Sequence, residues 1–186
     1  MKKYQIIYAD PPWSYNDKMG GDPNFQAMTY QTQSLGWIKS LKVSEISDKD
    51  CVLFVWAVSP LLPEALDVIN AWGFKYKTMA FCWNKRTIND VDISNMGRWT
   101  MGNVEICLLA TKGKPQRIRK DIKQLVSAIR TGHSRKPAEV RTRIVELMGD
   151  LPRIELFARK ETMLFDAHGF DGWDVWGNEV KSDIEL

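Results

Sequence analysis

The run CVLFVWAV, Cys51–Val58, restricts the possible folds more than any other stretch, because its eight residues carry no charge and no polar alternation. A continuous apolar run of strand length fits a strand covered on both faces, which places it near the centre of a parallel sheet. Ser59 and Pro60 follow as an N-cap and an early helical proline. Leu62, Leu66, Ile69 and Trp72 then recur on one helical face, and Gly73 stops the helix. Lys75–Trp83 reads as the next strand, with Tyr76, Thr78, Ala80 and Cys82 alternating with Lys77, Met79, Phe81 and Trp83. Strand, helix and strand in this order imply a right-handed parallel crossover.

The same periodicities extend along the chain. A first strand covers Tyr4–Ala9, a long polar loop runs to Ser34, and a short helix holds Trp37–Leu41. A second irregular loop, Asn84–Met101, precedes the strand Val104–Thr111. A helix starts near Pro137 with Val140, Ile144 and Leu147 inward, Ile154–Ala158 forms a late strand, and Phe170, Trp173 and Trp176 mark the closing segment. The pattern predicts an α/β fold with a mostly parallel central sheet and helices on both faces. At 186 residues and 44% apolar content, one domain over 1–186 accounts for the chain, with an acidic tail at about 180–186. No run reaches the roughly 18 apolar residues of a membrane span, and Met1-Lys2-Lys3 leads into a strand instead of a secretory signal. The expectation is a cytoplasmic protein.

Cys51, Cys82 and Cys107 form no CxxC pair, and His133 and His168 belong to no HExxH motif. Buried thiols and no metal site are expected. The net charge of +3 conceals a basic middle: residues 111–160 carry 14 Lys/Arg against 5 Asp/Glu, and residues 161–186 carry 1 against 7. Such a segment suits a polyanion, and equally a solvated basic face balanced by the acidic tail.

The first strand ends in Asp10-Pro11-Pro12-Trp13, and open α/β sheets bind ligands beyond the carboxyl ends of their strands. Two prolines stiffen the turn and remove two N–H groups, so nearby carbonyls are expected to lack a local donor. An exocyclic aromatic amine is a weak nucleophile because its lone pair is delocalised into the ring. Asp10 and the Pro11 carbonyl, both accepting its N–H bonds, would localise that lone pair, while Trp13 could stack on a base turned out of its strand. The same four residues can also be a plain turn that buries an indole.

Further blocks then follow in order: LFVWAVSPLLPEALDVINAWGFKYKT, GRWTMGNVEICLLATKGKP, GHSRKPAEV, RIELFAR and GWDVWGNEV. Together with ADPPW, they resemble the MT-A70 family of S-adenosylmethionine-dependent adenine-N6 methyltransferases over nearly the whole chain, and its phage and bacterial DNA-modifying branch in particular. The resemblance implies a Rossmann-like methyltransferase fold in permuted order, with the catalytic turn first and the cofactor strand late. No GxGxxG loop is present. Carried onto this chain, Asp10, Pro11, Pro12 and Trp13 are the catalytic set, and Asp10, Lys136, Phe157, Arg159, Asn178 and Glu179 bind the cofactor. Lys136 would face the cofactor carboxylate, Arg159 the ribose, and Asn178 and Glu179 the adenine edge and ribose hydroxyls. Lys136-Pro137 also opens a helix, whose N-terminus favours an anion. Lys160, Glu161 and Thr162 depart from the family's polar residues after the late strand, and only three residues precede the first one. The expectation is that the chain closes that side of the cofactor differently or binds the cofactor more weakly.

Candidate contacts to the nucleic acid are Tyr15, Asn84, Lys85, Trp99, Asn103, His133 and Arg135, with Lys112, Lys114, Arg117, Arg119 and Lys120 meeting phosphates. The resemblance implies methyl transfer to adenine N6 in nucleic acid, with DNA ahead of RNA. A catalytically silent binding or scaffold subunit, an RNA adenine-N6 enzyme and a DNA cytosine-N4 enzyme are the alternatives. A homodimer gripping DNA is compatible with the family, although no heptad marks an interface.

Overall fold

The computed structural model describes residues 2–14, 32–95, 99–130, 135–159 and 171–186. Its strands are β1 (Tyr4–Ala9), β2 (Ser47–Ala57), β3 (Lys75–Arg86), β4 (Val104–Lys112), β5 (Leu125–Ile129), β6 (Arg153–Leu156) and β7 (Trp173–Trp176). Among the described residues the helices are α1 (Leu35–Ser40), α2 (Val43–Ile46), α3 (Leu62–Ala71) and α4 (Glu139–Met148). Among the described residues, these seven strands join one sheet in the order β5-β3-β4-β2-β1-β6-β7.

The apolar run lies in β2, the fourth of the seven strands, as its composition requires. Its alternate residues feed two cores. Leu53, Val55 and Ala57 join Ile7 and Ala9 of β1 under α1, α2 and α3, where Ile38, Val43, Ile46, Ala65, Val68, Ile69 and Trp72 cover them. Val52, Phe54 and Trp56 join Ile6 and Tyr8 on the opposite face, where Val140, Ile144 and Met148 of α4 close the layer. The helices therefore cover both faces of the sheet. Each fully buried large apolar side chain, such as Trp56, Trp72 or Trp83, contributes about 1.5–3 kcal/mol relative to exposure.

β1 pairs in parallel with β2 and β6, β6 with β7, and β3 with β5. β4 runs antiparallel between β2 and β3. The crossover from β2 through α3 to β3 is therefore parallel but does not join neighbours, because β4 is inserted between them. Several boundaries differ from the sequence expectation for local reasons. Ser59–Leu61 form a 3-10 turn, and α3 starts only at Leu62 with Pro63 in its first turn, so Ser59 is not its cap. β3 continues to Arg86, through the start of what reads as a loop. α4 turns Arg141 and Met148 inward and leaves Leu147 half-buried. β6 ends at Leu156, two residues short of the expected end, because Phe157 adopts φ +64°, a conformation that no strand residue can hold. β5 and β7 had no clear signature: at five and four residues, they are too short for a period to emerge.

The three cysteines are unpaired, with Cys51 and Cys107 buried, and burial pushes the Cys51 thiol up to about 12. No group of three metal-ligating side chains occurs among the described residues. No described helix is long and apolar enough to cross a membrane.

Candidate active site

Three strand ends lie in register: Ala9 pairs with Leu156, and Leu156 with Trp176. The residues that follow, Asp10, Phe157 and Gly177, therefore leave the sheet side by side along one rim. Asp10 is tied to β6 by its N–H, which donates to the Leu156 carbonyl at 3.5 Å, and the Ala158 N–H donates to the Trp176 carbonyl at 3.0 Å. Phe157 takes the left-handed conformation where β6 stops, a strained state for a bulky residue of the kind that gathers at functional sites. Gly177 is obligatory for a different reason, since a Cβ there would collide with the Ala158 carbonyl oxygen and amide nitrogen. The turn beyond it, which carries Asn178 and Glu179, is held by Ser182, whose hydroxyl accepts from the Gly177 N–H at 3.2 Å and donates to its carbonyl at 3.3 Å.

These ends enclose a cleft of about 280 Å³ lined by Asp10, Pro12, Trp37, Phe157, Ala158, Arg159, Asn178 and Glu179. Five candidate cofactor residues, drawn from positions 10, 157, 159, 178 and 179, thus share one cavity. Trp37 and Ala158 were not anticipated. Trp37 looks like an ordinary apolar position of a short helix, yet its ring sits 6.4 Å from both Phe157 and Trp176, and those two rings meet edge to face at 5.4 Å.

The turn Asp10–Trp13 carries both prolines, but its carbonyls are not free of local donors. The Trp13 N–H donates to the Pro11 carbonyl at 2.8 Å, and the Gln33 N–H to the Pro12 carbonyl at 2.9 Å. The prolines remove their own N–H groups only, and a turn this tight brings the amide two residues on into reach. Pro11 keeps one lone pair for a further donor. Trp13 is 6% exposed and donates its indole N–H to the Trp56 carbonyl at 3.0 Å. It anchors the turn to β2 in this conformation, and the open stacking face expected of it is not presented.

Lys136 stands behind the cleft with its ammonium 2.9 and 2.8 Å from the two Asp10 oxygens, 3.1 Å from Glu105 and 5.4 Å from the centre of the Trp56 ring. Lys85 approaches the other Glu105 oxygen at 2.5 Å. Burial pushes the Asp10 carboxyl upward, and this outweighs the pull of Lys136. Burial acts against both Lys136 and Glu105, but their opposite-charge partners prevail, so Lys136 is raised and Glu105 lowered. Both stay charged at neutral pH. Glu105 is a further residue that sequence reasoning missed, and its signal was a lone acid near the start of the apolar strand VEICLLAT.

The candidate nucleic-acid contacts separate into two groups. Asn84, Lys85 and Asn103 lie on the site's rim, where the Asn103 amide donates to Asn84 at 3.3 Å and the Lys85 N–H to the Asn103 carbonyl at 3.1 Å. Trp99 projects from the same β3–β4 connection, 98% exposed. Arg135 directly precedes Lys136. Lys112, by contrast, pairs with Cys51 at the far end of β2, roughly 16 Å from the level of Asp10 at about 3.3 Å per residue. Its ammonium donates to Ser47 at 2.7 Å and to the Ser44 carbonyl at 3.2 Å. Lys114 follows there, its N–H bound to Asp50. Arg117, Arg119 and Lys120 pass the carboxyl end of α4, where the Arg119 N–H reaches the Leu147 carbonyl and its guanidinium meets Asp121 and Glu146. These five do not share the rim of the cleft. Much of the basic middle is used internally, with Lys136, Arg141, Arg143 and Arg153 all ion-paired. Tyr15 and His133 lie outside the described residues, as do Lys160, Glu161 and Thr162.

Beneath the site, Arg141 of α4 grips Glu155 of β6 through two bonds of 2.5 and 3.1 Å, both side chains buried. This pair ties the helix that follows Lys136 to the strand that ends at Phe157.

The chain is similar to known proteins along its length. The MT-A70 family model matches residues 4–179. The chain is 36% identical to the type II methyltransferase M.MunI from a Mycoplasma species, across the whole chain and 82% of that protein. It is 26% identical to an N(6)-adenosine-methyltransferase MT-A70-like protein of Arabidopsis thaliana and 25% identical to a probable one of Oryza sativa subsp. japonica. Those matches cover 96% of this chain but only 24% and 23% of the plant proteins, so it spans about a quarter of their length. With one family's pattern running from the first strand to the turn after the last, and both ends folding onto a single rim, the chain belongs to the MT-A70 family.

Proposed function

We propose that this protein transfers a methyl group from S-adenosylmethionine to the N6 amino group of adenine in DNA. The observation that carries the reading is the convergence of Asp10, Phe157, Arg159, Asn178 and Glu179 on one cleft, in a chain of the MT-A70 family. The residues fit the cofactor chemically. Glu179 can accept from ribose hydroxyls and the Asn178 amide can pair with an adenine edge. Trp37 and Phe157 offer apolar ring surface, and Asp10 suits a cationic centre. The bound cofactor supplies an electrophilic methyl carbon on a sulfonium.

The protein's own part is to aim and activate the amine. Asp10 accepts one N–H and the remaining lone pair of the Pro11 carbonyl accepts the other, which draws the nitrogen toward tetrahedral geometry. As the N–CH₃ bond forms and the sulfur–methyl bond breaks, the nitrogen must lose a proton. A carboxylate raised by burial, as Asp10 is, is a better proton acceptor than an ordinary aspartate. The choice of DNA rests on the likeness to a type II methyltransferase along the whole chain, whereas the N(6)-adenosine relatives are far longer and less similar.

The test is incubation with methyl-labelled cofactor and either DNA or RNA, followed by digestion to nucleosides. N6-methyldeoxyadenosine should appear from DNA and vanish with Asp10→Ala. Label found only in N4-methylcytosine, or only in RNA, would overturn the acceptor assignment.

A further inference from the structure

Lys136 has three N–H donors and no acceptor, and three carboxylate oxygens surround it: both of Asp10, at 2.9 and 2.8 Å, and one of Glu105, at 3.1 Å. The second Glu105 oxygen is held by Lys85 at 2.5 Å. The four side chains are 10–20% exposed, and their charges cancel. An indole lies under each ammonium, Trp56 at 5.4 Å from Lys136 and Trp83 at 5.5 Å from Lys85. The members come from four places in the chain: the end of β1, the segment before α4, the start of β4 and the end of β3. A buried ionic chain adds little net stability compared with apolar packing. Its clearest consequence falls on Asp10, the group at its open end.

We propose that Glu105 is a positioning residue, which shares the Lys136 ammonium with Asp10 and so keeps the remaining Asp10 lone pairs basic enough to accept the hydrogens of the incoming amine. The catalytic consequence rests on the methyltransferase reading above; the charge sharing does not. Without the Glu105 charge, Lys136 belongs to Asp10 alone. The carboxylate is then neutralised more fully and becomes a poorer acceptor. The other groups facing Asp10 are Arg159 beyond β6 and the Cys107 thiol on β4.

The experiment follows the titration of Asp10 by carbon-13 NMR of carboxyl-labelled aspartate, with the resonance assigned by its loss in Asp10→Asn. The pH profile of kcat at saturating cofactor is measured alongside. Glu105→Gln keeps the shape and removes the charge. It should lower the Asp10 midpoint by about one unit and carry the acid limb of kcat with it. At neutral pH it should reduce kcat about tenfold while KM for the cofactor stays within about threefold. Glu105→Asp, which keeps the charge, should restore most of both. Lys85→Gln leaves Glu105 wholly to Lys136 and must move the Asp10 midpoint upward, which keeps the idea testable if Glu105→Gln does not fold. A midpoint and pH profile unchanged in both variants, with only a lower melting temperature, would overturn it. Normal NMR shifts in a protein that methylates no nucleic acid would instead sink the methyltransferase reading and leave the charge sharing standing.

Discussion

The two rims of the sheet carry similar side chains in opposite ways. At the carboxyl ends of β1 and β6, charged groups are largely buried and matched one to one, with Asp10, Lys136, Glu105 and Lys85 in a chain and Arg159 near Asp10. At the other rim, Lys112 is bound to the hydroxyl and carbonyl of a short helix end, and Arg119 to surface acids. Counting charges along the chain favours the second region, because residues 111–160 hold the basic excess. Burial favours the first. A charge held out of water requires a partner and a fixed geometry, so the rim with the buried, matched charges is the one whose side chains are held in a fixed arrangement.

The contrast can be broken most severely at Asp10. Asp10→Ala should lower the methyl-transfer rate by about a thousandfold or more with little change in melting temperature, read by label incorporation and calorimetry. A loss below tenfold would place the reactive acceptor elsewhere. Arg141→Ala reverses that pattern. It removes the two bonds that the buried Glu155 accepts from Arg141, and should destabilise the fold by about 3–5 kcal/mol, measured by urea unfolding; an effect under about 1 kcal/mol would show that the pair tolerates water.

Smaller effects sharpen the picture. Glu179→Ala should weaken cofactor binding about tenfold, read by tryptophan fluorescence titration, with kcat reduced far less. The pH profile should show a sign set by Asp10. In the proposed mechanism its ionised form is the acceptor, and burial raises its pKa, so activity should be present at high pH and fall with acid at a midpoint above the ordinary value of about 3.9. A midpoint at or below that value would contradict the burial argument. The double variant Lys112→Ala, Lys114→Ala should change the methylation rate less than about twofold and leave its salt dependence nearly unaltered, because these lysines sit on the far rim. A loss of about one unit of salt slope per lysine would put DNA across both rims.

Much of the fold was legible because it depends on local pattern. The apolar run of β2 fits a central strand, and Leu62–Trp72 and Val140–Leu147 announce their helices by spacing. The turn Asp10–Trp13 is visible for a similar reason, since acid, two prolines and an indole after a strand leave few alternatives. What stayed hidden was short or non-local. β5 and β7 lack the length for a period, and the antiparallel placement of β4 depends on which neighbours β2 and β3 accept. The Trp13 amide occupies one lone pair of the Pro11 carbonyl, a contact set by turn geometry and not by composition.

The sequence by itself determined the α/β class, the central strand, the Asp10–Trp13 turn and the family to which these blocks belong, because each is written in adjacent residues or in a fixed order. Only the tertiary structure decided which charges meet. Glu105 and Lys136 are 31 positions apart and 2.8 to 3.1 Å links join them through one ammonium to Asp10. Charges interact through space, and distance in space is a property of the packed sheet that no local pattern encodes.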